Sequence, residues 1–237
     1  MRAIILLCLA TASLADLSSW SPSTSTPPTA PTWPSAWSAS FTEVSYYAGE
    51  TRETNGSAFF DYPNGHLNWT RYNAVGDPVC ATAFYLPPNT TCSHLIDSGN
   101  EYLYAPDGDQ CCLCCTSAQQ CGVFPPTVLQ YYTYVAESQY MGKAVYEWTF
   151  PSGGMDMTYL ETTESEPVDR KWVAMFSAYF NYTDFWDFTS EADASGFQLP
   201  AACPGADLCT GVCVFVRSGG PPMSSAGKSP TQPYPFY

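Results

Sequence analysis

QCCLCCTSAQQCG, residues 110–122, places five of the chain's eleven cysteines within thirteen positions. Three chemistries make use of such density. Cys111/Cys114 and Cys112/Cys115 each have the two-residue gap of a zinc knuckle, but a knuckle also needs a second pair or histidines at set spacing. The whole chain offers only His66 and His94. A redox centre and a set of disulfides are the other two readings. Compartment decides among them, because thiols are oxidised outside the cell and kept reduced inside it.

The chain opens MRAIILLCLATASLAD. Arg2 is followed by the apolar run Ile4 to Leu9, and Ser13-Leu14-Ala15 forms a small-x-small cleavage signal. This is the layout of a secretory signal peptide over residues 1–15, and the apolar run is too short to span a bilayer. Cleavage would remove Cys8 and leave ten cysteines in an oxidising compartment. The expectation is therefore five disulfides among Cys80, Cys92, Cys111, Cys112, Cys114, Cys115, Cys121, Cys203, Cys209 and Cys213, with no metal site. Adjacent cysteines rarely bond to each other, so the pairs need other partners. Five cysteines lie inside the cluster and five outside it, so an odd number of bridges must leave it. The segment CPGADLCTGVC, residues 203–213, is the expected partner. Four sequons, at Asn55, Asn68, Asn89 and Asn181, agree with secretion and are expected to carry N-glycans.

The formal net charge of −14 rests on only 8 basic residues. That excludes nucleic acid, whose phosphates demand a basic patch, and anionic headgroups on the same ground. No stretch after the leader is long and apolar enough to span a membrane. Charged residues make up 13% of the chain and aromatic ones 16%, a balance that suits a sizeable core.

Residues 16–40 are rich in Ser, Thr and Pro and read as an extended N-terminal arm. Trp20, Trp33 and Trp37 punctuate it. A second Pro-rich arm, residues 218–237, closes on Tyr234, Phe236 and Tyr237. These six aromatics are the candidate contacts for assembly with other copies of the protein. Between the arms, residues 41–217 fit one disulfide-bonded, glycosylated β domain. SAFFDYPNGHLNWTRY reads as a hairpin around Pro63-Asn64-Gly65. Alternation in its second arm puts Leu67 and Trp69 on one face, and His66, Asn68 and Thr70 on a solvent face. CATAFYL, EYLYA, VLQYYTYVA, GKAVYEWTF, MTYLETT, KWVAMFSAYF and VCVFVR read as further strands, and TSEADAS as a short helix. The fold class is mostly β: an antiparallel two-sheet sandwich or partial barrel.

No constellation for catalysis stands out. There is no G-x-S-x-G elbow, phosphate loop or EF-hand loop. His66 reads as exposed on its strand, and His94 as lying near a turn. The acidic stretches Asp107-Gly108-Asp109 and Glu161–Asp169 read as solvated surface, with weak calcium affinity as the one cofactor expectation.

The order FFDYPNGHLNWTR, a cysteine pair around a sequon, GNEYLY…CCLCC, YMGKAVYEWTF and FQLPAAC resembles the ependymin-related secreted glycoproteins over roughly residues 55–205. That resemblance implies two stacked antiparallel sheets enclosing an apolar pocket, N-glycans, self-association and calcium affinity. The first functional expectation is a non-enzymatic, self-assembling structural subunit of an extracellular matrix, coat or filament. The alternative is a binding protein for an apolar ligand held between two β-sheets.

Overall fold

A computed structural model describes residues 27–47, 50–73, 78–87, 89–119, 121–152, 155–176, 182–190 and 196–218. Trp20, Asn181, Tyr234, Phe236, Tyr237, the leader and the stretch 191–195 lie outside the described residues. The strands are β1 (Ala36–Tyr47), β2 (Glu50–Asp61), β3 (His66–Arg71), β4 (Cys92–Asp97), β5 (Asn100–Ala105), β6 (Gln110–Cys115), β7 (Thr133–Tyr140), β8 (Lys143–Ser152), β9 (Met155–Thr162), β10 (Trp172–Phe176) and β11 (Tyr182–Thr189). Two short helices, α1 (Pro78–Phe84) and α2 (Val212–Arg217), complete the set.

All strand pairings are antiparallel and form one ladder, in the order β6-β5-β4-β3-β2-β1-β11-β10-β9-β8-β7. The long strand β1 joins the two halves, pairing with β2 over its whole length and with β11 across a bulge. The halves β1–β6 and β7–β11 face each other across a shared apolar interior. The outer strands β6 and β7 do not pair with each other, so this is an open, curled sheet and not a closed barrel.

The hairpin at Pro63-Asn64-Gly65 forms because Gly65 takes the positive φ of 69° that the turn requires. Asp61 braces it by accepting from the Asn64 amide N and Nδ2 at 3.3 and 2.6 Å. In β3 the inward residues are Leu67, Trp69 and Arg71. In β2, Gly56 is obligatory. A Cβ there would lie 2.2 Å from both the Phe41 ring and the Thr70 carbonyl oxygen.

Trp33 and Trp37 do not belong to an arm. They are 8% and 1% exposed, inside the protein's own core, and β1 already begins at Ala36. Trp37, Ala39, Phe41 and Glu43 alternate inward with Ser38, Ser40 and Thr42 between them. Ser38 and Ser40, read as the end of the arm, lie on the outer face of this strand.

Two segments read as strands are helices. In α1, Val79, Cys80, Ala83 and Phe84 turn one face into the core, and the Pro at its first position suits a helix start. In α2, Cys213 and Val216 are buried. Arg217 also donates to the carbonyls of Leu113, Cys114 and Cys209 at 3.3, 2.8 and 2.6 Å. Those contacts and a disulfide override the β preference of its valines. VLQYYTYVA starts as a 3-10 turn, Val128–Tyr131, before β7 begins at Thr133. His94 is not near a turn: it lies inside β4 and is 5% exposed.

The cysteine-dense stretch is the edge strand β6, and its spacing follows from the pleat. Cys111 faces outward with Leu113 and bridges Cys203, beneath Phe197 and Leu199. Cys112 and Cys114 face the opposite side and bridge Cys209 and Cys213. Cys115 closes a short loop to Cys121, and Cys80–Cys92 ties α1 to β4. Three bridges therefore run from one strand to one C-terminal segment. That segment covers the edge of β6: Leu113 N donates to Asp207 O and Cys209 N to Leu113 O, at 2.8 and 2.9 Å. Among the described residues no helix is long and apolar enough to cross a membrane.

Candidate functional site

The inward positions of seven strands supply a continuous aromatic interior. Trp172 from β10 is its hub. Its ring stacks on Phe185 of β11 at 4.2 Å and on Trp33 at 4.8 Å, and meets Tyr159 of β9 at 5.4 Å and Trp37 of β1 at 5.6 Å. Phe60 stacks on Trp37, and Phe41 packs against Trp69. Two connections lie across this interior. One is the N-terminal stretch, residues 27–35, whose Pro31 and Trp33 are buried. Trp33 N donates to Pro126 O at 3.0 Å and Trp33 Nε1 to the Tyr159 hydroxyl at 3.2 Å. The other is the link from β6 to β7, which inserts Phe124, Val128 and Leu129.

A polar cluster sits at the wall of the interior. Glu161, at 0% exposure, shares the inward face of β9 with Met157 and Tyr159. Its Oε1 accepts from Trp148 Nε1 at 2.9 Å and from Arg170 Nη1 at 3.0 Å. Arg170 also donates to the carbonyls of Thr29 and Glu164 at 2.7 and 2.9 Å, and lies over the Tyr146 ring at 4.9 Å. Arg170 thus ties the N-terminal stretch to β9. Glu161 Oε2 and Trp37 Nε1 are buried without a hydrogen-bond partner. Such atoms are rare in folded proteins, because each forfeits its hydration.

Burial pushes the Glu161 carboxyl up to about 7, against the opposing pull of Arg170 and the Trp148 hydrogen bond. The folded protein therefore holds a proton that the unfolded chain releases between about pH 4.5 and 7. Stability should fall as pH rises through that window, by about 3 kcal/mol in all, and level off above it. Urea unfolding of wild type and Glu161→Gln at several pH values checks this, with the variant losing the slope. Burial also raises Tyr159 well above the ordinary phenol range, with the Glu161 charge adding to it.

A second buried pair, Glu43–Arg71, is bidentate, with both bonds at 2.9 Å, and joins β1 to β3. A third group joins β4, β5 and β6. His94 Nδ1 lies 3.1 Å from Glu101 Oε1, and Glu101 Oε2 lies 3.3 Å from Cys115 Sγ.

The other sequence candidates are dispersed. Asn55 and Asn89 are exposed. Asn68 is half-buried, its Nδ2 3.5 Å from Gly196 O. His66 is not freely solvated: it stacks on Phe197 at 4.2 Å and pairs with Asp97 at 3.2 Å. Glu161 does not belong to a solvated acidic face. Its signal was present, since Met157, Tyr159 and Glu161 share strand parity, but the acids that follow in sequence masked it. Glu101 likewise shares parity with Leu103 and Ala105.

No family model and no curated protein matches the sequence. Among solved structures, an uncharacterized conserved protein from Thermus thermophilus aligns with a TM-score of 0.43 at 8% identity, over 72% of this chain and 89% of the other. A putative outer membrane lipoprotein-sorting protein domain from Vibrio parahaemolyticus aligns with a TM-score of 0.34 at 9% identity, over 69% and 87%.

Proposed function

We propose that the protein is a non-enzymatic secreted glycoprotein that holds an apolar ligand in the interior of its curled sheet. One observation carries this reading. The interior is a contiguous bed of indole and phenyl rings, with Glu161 Oε2 and Trp37 Nε1 buried and unpartnered. An apolar bed with a few convergent polar atoms is the chemistry of a small-molecule site. The N-terminal stretch, with Pro31 and Trp33, occupies that bed, and a ligand takes its place when the stretch swings out.

The structural-subunit reading loses two of its three N-terminal contacts, because Trp33 and Trp37 serve the core. The sheet edges are also protected against strand addition. Residues 207–209 cover β6, and β7 carries a bulge and the exposed Glu137. That reading keeps one support: exposed Leu208, Val214 and Phe215, just before the C-terminal arm. Sedimentation after deletion of residues 221–237 tests it, with a smaller particle expected if assembly holds.

The binding reading is tested with brominated fatty acids, which quench nearby indoles. Saturable quenching of the secreted protein is expected, with tighter binding in Trp33→Ala because the occupant of the bed is gone. Absence of saturable quenching in both proteins, with no apolar molecule in an organic extract, would overturn it. Glycopeptide mapping is expected to find Asn55 and Asn89 occupied. Asn68 should be sub-stoichiometric, since a glycan on Nδ2 must displace Gly196.

A further inference from the structure

We propose that Cys115–Cys121 is a reversibly reducible disulfide, opened by an external low-molecular-mass thiol, with His94 and Glu101 supplying the proton to the leaving sulfur. This chemistry is independent of ligand binding in the interior.

The other four bridges are staples. Cys80–Cys92, Cys112–Cys209 and Cys114–Cys213 are buried at both ends, and the fourth joins half-buried Cys111 to Cys203 at 0% exposure. Cys115–Cys121 is different in span and in surroundings. It closes only 6 residues, with Cys115 at 0% exposure and Cys121 half-buried. An incoming thiolate therefore meets Cys121 first, and Cys115 is the leaving sulfur.

What lies beside Cys115 gives the pair its chemistry. Glu101 and His94 are 7% and 5% exposed, and Glu101 Oε2 is 3.3 Å from Cys115 Sγ. A bridged sulfur carries no proton, so in the oxidised protein this contact cannot be a hydrogen bond. Reduction turns the same sulfur into an S–H donor aimed at a buried carboxylate oxygen. The oxidised form leaves that oxygen facing a non-donor, and the reduced form satisfies it. The site is thus complementary to the open state, as buried polar groups favour whichever state pairs them.

The thiolate R–S⁻ attacks Cys121 Sγ, forming R–S–S–Cys121 as the Cys121–Cys115 bond breaks and its electron pair goes to Cys115. Glu101 accepts a proton from His94 across the 3.1 Å contact and gives it to that thiolate, ending as the carboxylate that the new S–H faces. A second thiol resolves the mixed disulfide. The sum is two thiols oxidised to R–S–S–R and one protein disulfide reduced to two thiols. Among the described residues, Arg217 of α2 lies along the same strand, engaged with the carbonyls of Leu113, Cys114 and Cys209. Opening the bridge frees the start of the β6–β7 connection, whose Phe124, Val128 and Leu129 close over the interior.

The test uses the full oxidised protein with reduced glutathione, timed quenching by an alkylating agent and mass mapping of all ten cysteines. EDTA is present throughout. Cys115 and Cys121 are expected to label at least ten-fold faster than the other eight. At a single pH, Glu101→Gln should slow the labelling of Cys115 and Cys121 by about ten-fold or more, because an amide cannot relay the proton. Cys115→Ser/Cys121→Ser should remove the fast phase and leave the other eight protected. If Glu101→Gln does not fold, His94→Asn is read in the same way. Opening of any other bridge first, or equal labelling rates in wild type and the relay variant, would overturn the proposal.

Discussion

Trp172→Ala is expected to cost about 4 kcal/mol of stability, read as a lower urea midpoint with an unchanged slope. The reasons are positional. Trp172 is 3% exposed and touches rings from β1, β9, β11 and the N-terminal stretch. Truncation removes a large apolar transfer term and opens a cavity between elements that cannot collapse independently. The strands are held by the long ladder, and the N-terminal stretch by the Arg170–Thr29 and Trp33–Pro126 hydrogen bonds. Stacked and edge-on aromatic contacts add about 0.5–1.5 kcal/mol per pair beyond area. Trp186 is the control. It is 48% exposed on the outer side of β11, so Trp186→Ala should stay within about 0.5 kcal/mol. A Trp172→Ala cost below that of Trp186→Ala would mean that the interior is not packed around the hub.

Removing all three staples from β6 to the C-terminal segment should cost about 9 kcal/mol, while removing any one should cost about 2 kcal/mol. Cys111–Cys203, Cys112–Cys209 and Cys114–Cys213 enclose sequence separations of 92, 97 and 99. In the chain-entropy picture, closing a loop near 100 residues stabilises by about 4.7 kcal/mol. Once one staple is in place, each of the others closes only the few residues between neighbouring bridges. The three are therefore partly redundant, and their deletions are not additive. Thermal unfolding of single, double and triple Cys→Ala variants reads this, always with both partners replaced. Nearly equal single and triple costs would show that the bridges do not act on a shared loop. Simple additivity would show that they constrain separate parts.

The mostly β, antiparallel, open architecture was legible because strand signals are local. The turn at Asn64-Gly65, the alternation of Leu67 and Trp69, and the aromatic-rich runs that became β5, β8, β9 and β10 all report the pleat directly. β1 was less legible although its alternation is just as regular. Ser38, Ser40 and Thr42 continue the composition of the Pro-rich stretch before them, and composition alone cannot tell a polar strand face from a solvated stalk. α1 and α2 were misread because a short apolar run carries no period of its own. Their helical form depends on which face a disulfide and Arg217 draw inward, and that is information held by β6.

By itself the sequence determined that ten cysteines follow Cys8, that an odd number of bridges must leave the 111–121 cluster if all ten pair, and that 8 basic residues stand against 22 acidic ones. These follow from counting and charge, which need no coordinates. Only the tertiary structure decided which cysteine meets which, that Trp33 and Trp37 are core, that Glu161 is buried against Arg170, and that His94, Glu101 and Cys115 converge. Each of those facts joins residues on different strands. The physical reason is register: a one-residue slip in any ladder would send each of these side chains to the opposite face, and register is set by the sheet as a whole.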